Sequence, residues 1–186
     1  MQKITQPQAL PLEGGGLDKA MLYPLEPDIL QFKYMEKGYL GFWDQSRTLG
    51  LMDAKGKVII PAGWESIHIQ TDPGVIWCTK QGRTVLFDLQ GTPLLGQSPE
   101  ALMAMGRGTA VKGSGDTVIV LEELGAFFEG LARGRQGSTT YHVNAAGRAV
   151  LRFQKHGVGD FHCGRALFQP KTGLFQKKLV GYVDRQ

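Results

Sequence analysis

The sequence predicts an all-β fold, an array of four to five short antiparallel meanders with a period near 34 residues. Three observations predict it. Glycine supplies 26 of 186 residues, about twice the usual ~7%, which favours turns over long helices. From residue 38 onward, short runs rich in Val, Ile, Thr and aromatics alternate with Gly-containing turns, the pattern of strands. Two separate sets of glycines also recur at matching intervals, as expected of a repeat architecture.

Residues 1–37 read as a leader and a non-repetitive cap. Residues 1–16 are polar, with Pro7, Pro11 and Gly14-Gly15-Gly16, and predict no regular structure. Residues 17–37 hold Met21, Leu22, Tyr23, Leu25, Ile29, Leu30 and Phe32 without a clean period and are expected to pack over the first repeat. Strands are predicted over 39–43, 48–52, 58–60, 75–78, 84–87, 117–121, 139–143, 149–153, 166–168 and 179–183. A short helix is predicted over 99–105, with Ser98 as N-cap, Pro99 at the first helical position and Glu100 in the first turn. Residues 121–131 have helical composition but two glycines and fit either state.

The first set of glycines follows an acidic or amide residue by three: Asp53…Gly56, Asp88…Gly91, Glu122…Gly125 and Asn144…Gly147, at intervals of 35, 34 and 22. The second set opens strands: Gly38, Gly74, Gly108, Gly130 and Gly164, at intervals of 36, 34, 22 and 34. Both sets share the period and the same shortened third unit. Asp in such a turn accepts hydrogen bonds from the following backbone, and Gly supplies positive φ. Each unit thus reads as a three-stranded meander that must stack on neighbours to bury a core. Stacking into an open solenoid and into a partly propeller-like array are both compatible with this period.

These residues resemble the WG (KWG) repeats of bacterial proteins. The resemblance rests on Phe127-Phe128-Glu129-Gly130-Leu131-Ala132, on Gly50-Leu51-Met52-Asp53-Ala54-Lys55-Gly56-Lys57, on Ile60-Pro61 with Trp64-Glu65, on Phe161-His162-Cys163-Gly164-Arg165-Ala166, and on Gly181-Tyr182-Val183-Asp184. It covers residues 38–186 and is degenerate in the middle, where the Trp-Gly pair is absent. It implies a binding scaffold without catalytic residues, often in exported or envelope-associated bacterial proteins. The amino terminus lacks the apolar core of a signal peptide. The chain as it stands therefore reads as cytoplasmic, and as periplasmic or envelope-associated if a signal peptide has been removed. The chain stops where a repeat should continue. It is therefore expected to be a fragment, or to cover the edge strand at 178–184 by pairing with another chain or with the amino-terminal segment.

Charge is unevenly spread. Residues 1–130 carry 11 Lys and Arg against 15 Asp and Glu, whereas residues 131–186 carry 10 against 2. Arg133, Arg135, Arg148, Arg152, Arg165, Lys177 and Lys178 are the expected binding residues of a basic face. Their partner is expected to be a protein with an acidic surface. Nucleic acid would need aromatics interleaved for stacking, and strand alternation assigns Tyr141, Phe153, Phe168 and Phe175 mostly to the core. A toxin-neutralising immunity protein is a specific version of the binding reading.

The rival is a metal-dependent hydrolase built on His142, His156, Asp160, His162 and Cys163. Their spacing matches no metal motif, and the repeat already accounts for residues 161–166. No cofactor motif, P-loop or nucleophile elbow occurs. Cys78 and Cys163 lie 85 residues apart, outside any Cys-x-x-Cys pair, and are expected to be buried free thiols, or a single disulfide if the protein is exported. Trp43, Trp64 and Trp77 are expected in the core, or as an exposed platform for sugar or peptide.

Overall fold

The structure, a computed structural model, describes residues 8–10, 20–22, 29–36, 38–115, 117–170 and 180–184. It is mostly β, with 65% of the described residues in strands and 4% in helix, as the glycine content and turn pattern predict. The chain divides into two compact units, Met1–Ile67 and His68–Gln186.

In the first unit, β1 (Gln8–Leu10) pairs antiparallel with β2 (Ala20–Leu22), so part of the expected structureless leader is strand. The strands β3 (Ile29–Glu36), β4 (Tyr39–Asp44), β5 (Leu49–Asp53) and β6 (Val58–Trp64) form a four-stranded meander. The repeat is therefore one strand longer here than the three-stranded unit expected, because residues 29–36, read as cap, supply the first strand. Leu51, Met52 and Ile60 are fully buried. Phe42 lies opposite Gly50, and its ring fills the space a side chain there would need.

The next sheet begins with β7 (Ser66–Gln70), most of which lies in the second unit, followed by β8 (Val75–Lys80) and β9 (Arg83–Asp88). Helix α1 (Pro99–Ala104) follows, capped at Ser98, whose hydroxyl accepts from the Ala101 N–H. Next come β10 (Gly108–Lys112) and β11 (Val118–Leu121), a hairpin whose first strand pairs parallel with β9. This corrects the shortened third unit: the 22-residue interval arises from an added hairpin on the second sheet. The third sheet is the meander β12 (Glu123–Phe128), β13 (Leu131–Gln136), β14 (Thr139–Asn144) and β15 (Ala149–Gln154). The fourth contains β16 (His156–His162), β17 (Arg165–Pro170) and β18 (Gly181–Asp184), with β18 paired to β17 at the sheet edge.

Three turns are near copies. At Asp53, Asp88 and Asn144 the side-chain Oδ1 accepts from the N–H groups two and four residues on, at 2.8–3.1 Å. The glycine three residues on donates to the carbonyl of that Asp or Asn. Glu122…Gly125 is not a fourth copy, because both residues belong to the start of β12 and its approach, where the pattern is extended. The five strand-opening glycines all carry positive φ, from 73° to 117°. At Gly130 and Gly164 the preceding residues, Glu129 and Cys163, share it, as a two-residue type I′ hairpin turn requires.

The third sheet is packed on both faces. Ala132, Tyr141 and Val143 meet Val75, Trp77 and Leu86 of the second sheet, while Leu131, Leu151 and Phe153 meet Val158, Phe161 and Ala166 of the fourth. Successive strand residues alternate between faces, so each core owns every second residue of β13–β15. The turns are tied as well: the Glu129 carboxylate accepts from the Cys163 N–H and, at 3.0 Å, from the Gly164 N–H.

Candidate functional site: two clefts flanking an edge strand

Alternation separates the expected basic residues. Arg133 and Arg135 share one face of β13, opposite His142 and Thr140 of β14, whereas Arg152 of β15 pairs with Tyr141 on the other face. Arg148 lies in the β14–β15 turn, and Arg165 begins β17. All five are exposed, but they do not form one patch. Lys177 and Lys178 lie outside the described residues.

Two of the arginines are already neutralised. Arg133 Nε sits 3.2 Å from Asp160 Oδ1. Arg135 spans two carboxylates, with Glu122 at 2.9 Å and Glu123 at 3.0 Å. Hydrogen bonding and charge from Arg135 hold the Glu123 carboxyl below its ordinary value, and Glu123 in turn holds the Arg135 guanidinium up. Both ends are solvent-exposed, so these pairs contribute little to stability. Their effect is to cancel charge locally. The described residues give Arg148 and Arg152 no ion pair.

The candidate hydrolase residues are dispersed into packing roles. His142 is fully buried, with Nε2 2.9 Å from the Gly159 carbonyl and its ring edge-on to Phe153 and Phe161. His156 lies against Phe168 and His162 against Phe128. Asp160 is taken by Arg133. Among the described residues, no three His, Cys, Asp or Glu side chains gather as metal ligands would. Cys78 is buried and free, its thiol pushed well above the usual range by desolvation. Cys163, expected to be buried, is instead exposed on its turn, because a two-residue turn projects its residues away from the sheet.

What the structure does assemble lies along β12, the edge strand of the third sheet. A cleft of about 320 Å3 opens on one side, lined by Trp77, His68, Thr79, Thr84 and residues 122–126. The Trp77 indole leans on the rings of His68 and Phe127, each centred 5.4 Å away. It is 8% exposed and belongs to the core of the second and third sheets, as the core expectation has it, with part of its ring lining the cleft. A second cleft of about 300 Å3 lies on the other side, lined by Arg133, Arg135, Asp160, Phe128 and again residues 123–126. Residues Glu123, Gly125 and Ala126 between them are exposed. A bulge interrupts the β12–β13 register between Leu124 and Phe127. Bulges of this kind re-aim side chains at functional edges.

At the bulge end, the Gln70 side chain makes two bonds to the backbone of one residue, Phe127. Its Nε2 donates to the Phe127 carbonyl at 2.7 Å, and its Oε1 accepts from the Phe127 N–H at 2.9 Å. Sequence reasoning missed Gln70 and residues 122–126. The only local signal was the ambiguous segment at 121–131, where charged residues and glycine interrupt an apolar run.

No known family pattern matches the sequence, and no curated protein matches it. Among solved structures, the chain is similar to the WD40 domain of SCAP from fission yeast, with a TM-score of 0.30 and 11% identity. The alignment covers 86% of this chain and 45% of that one, so the chain spans less than half the length of its structural neighbour.

Proposed function

We propose that this chain is a non-catalytic protein-interaction module built on WG-like repeats, and that its binding surface centres on the edge strand β12. One observation carries the reading: an exposed strand edge at 123–126 flanked by two clefts of side-chain size. Clefts near 300 Å3 are at the small end for ligand sites. They suit single side chains of a larger partner better than a whole small molecule. The resemblance to WG repeats, which implies a binding scaffold, supports the same reading.

A second reading keeps the acidic-surface partner and assigns it to Arg148 and Arg152, two exposed arginines with no ion pair among the described residues. The two readings separate in one experiment. Purified chain is used as bait in extract of its native host, as the unaltered protein, as Gly125→Phe, and as Arg148→Ala with Arg152→Ala. A Cβ at Gly125 meets only the Arg133 carbonyl, at 3.5 Å, so Phe is accommodated there and fills the edge. Loss of the same captured protein with Gly125→Phe alone supports the β12 site. Loss with the arginine pair alone moves the site to the β14–β15 turn.

A further inference from the structure

We infer that the partner contributes an extended segment that adds to β12 as a further strand, with one apolar side chain of that segment seated in the Trp77 cleft. This deepens the preceding reading and rests on it. Three observations on the edge carry the inference.

The edge already holds a peptide-like group in register. A neighbouring strand would offer the Phe127 N–H an acceptor and the Phe127 carbonyl a donor. The Gln70 side-chain amide supplies that pair, at 2.9 and 2.7 Å. The hydrogen-bonding groups of β12 at this end are thus aimed outward at an amide lying where a strand would run. Gln70 reaches only Phe127, and residues 123–126 continue the same edge with both clefts open beside it.

The clefts also match the periodicity of a strand. Residues of an extended segment alternate between the two faces of the sheet it joins. One face of the third sheet leads to the Trp77 cleft, and the other to the cleft beside Arg133 and Asp160. A segment paired with residues 123–126 therefore sends successive side chains alternately into the two. In such strand addition, main-chain bonds supply affinity and alternate pockets supply specificity.

The chemistry of the Trp77 cleft identifies the side chain it takes. Glu122 and Glu123 at its lip are both engaged by Arg135. At the opposite lip the Arg107 guanidinium lies against Gly82. Opposed charges on the two lips leave no net sign to select a charged group. Deeper in, Trp77, Leu124 and the threonines Thr79 and Thr84 remain, and the two hydroxyls bond each other at 2.9 Å. An apolar or aromatic side chain fits this floor, and it gains offset ring contact with the indole.

The probe is the capped peptide acetyl-Thr-Val-Thr-Phe-Thr-Val-Thr-amide, titrated into isotopically labelled full chain and followed by amide and indole NMR signals. Strand addition predicts shifts centred on residues 123–126 and on the Trp77 indole N–H. It predicts at least tenfold weaker binding when alternate peptide nitrogens are methylated, because the main-chain donors are removed. Replacing the central Phe by Ala should weaken binding severalfold and remove the indole shift. Equal binding by the methylated peptide overturns the inference, as do shifts elsewhere or no binding up to 5 mM peptide (a ceiling on the order of the weakest meaningful affinities). A dimer of the chain alone, abolished by Gly125→Phe in sedimentation, also overturns it by assigning the edge to a second copy. Because Gly125→Phe in the capture experiment does not depend on peptide pairing, a folded partner surface at β12 would leave the proposed function standing while this inference fails.

Discussion

Replacing Gln70 by Ala removes both bonds that cap the inner end of β12. Phe127 is 3% exposed, so its N–H and carbonyl would be left with restricted access to water. Each orphaned group of this kind costs about 1–3 kcal/mol. Gln70 is only half-buried, and water entering the vacated space recovers part of that cost. The expected loss is therefore about 2 kcal/mol, close to thirtyfold in the local opening equilibrium. Native-state hydrogen exchange at the Phe127 amide reads this directly, and urea unfolding gives the accompanying loss of stability. Gln70→Glu sharpens the test. A carboxylate still accepts from the Phe127 N–H but cannot donate to its carbonyl, and two oxygens then face each other. Protonation restores the donor, and the opposed oxygens raise the carboxyl's folded-state value, so the Glu variant should recover as pH falls toward about 4.3, the ordinary Glu value, and be fully recovered below it. A Gln70→Ala loss under about 0.5 kcal/mol, within the range of ordinary surface substitutions, would refute the assignment of Gln70 as a strand surrogate.

Three further outcomes follow from the packing. Gly50→Ala drives a Cβ into the Phe42 ring and should destabilise the first unit by about 1–3 kcal/mol, the cost of overpacking, measured by thermal unfolding; an unchanged melting temperature would mean the ring moves freely. Ellman's reagent should titrate one thiol in the native protein, the exposed Cys163, and two after unfolding, and rapid native labelling of both would contradict the burial of Cys78. Because desolvation raises the Cys78 value in the folded state, stability should fall as pH rises above about 8.5, where the unfolded thiol ionises, and Cys78→Ala should remove that slope. Glu129→Ala takes the acceptor from the Cys163 and Gly164 amides and should cost about 0.5–1.5 kcal/mol, since this exposed site lets water replace the carboxylate; Glu129→Gln should recover part of it.

The features legible in the sequence are those decided locally. An Asp or Asn three residues before Gly closes the same turn at 53, 88 and 144, because its side chain needs only the next four backbone groups. Ser98 and Pro99 announce α1 for a similar reason. Glu122…Gly125 has the same spacing and a different fate. Its longer carboxylate reaches Arg135 and the Gly137 N–H, the latter at 2.9 Å, and the segment becomes strand. The 22-residue interval misled in the same way, since spacing cannot distinguish a shortened repeat from a hairpin added parallel to β9. The site was least legible of all. Net charge over residues 131–186 suggested a single basic face, but the acids that neutralise Arg135 come from residues 122 and 123, outside that segment. Alternation then turns Arg152 away from Arg133. Gln70 and Phe127 are 57 residues apart, and no local pattern joins them.

The most direct measurement of the central claim is photo-cross-linking in the native host from a reactive residue at position 126, on the open edge of β12. The control is the same residue at position 55, an exposed turn of the first unit. A protein-interaction module centred on β12 predicts a discrete cross-linked partner from position 126, absent from position 55 and abolished by Gly125→Phe. Equal cross-linking from both positions, or a partner that persists when Phe fills the edge, would contradict the claim.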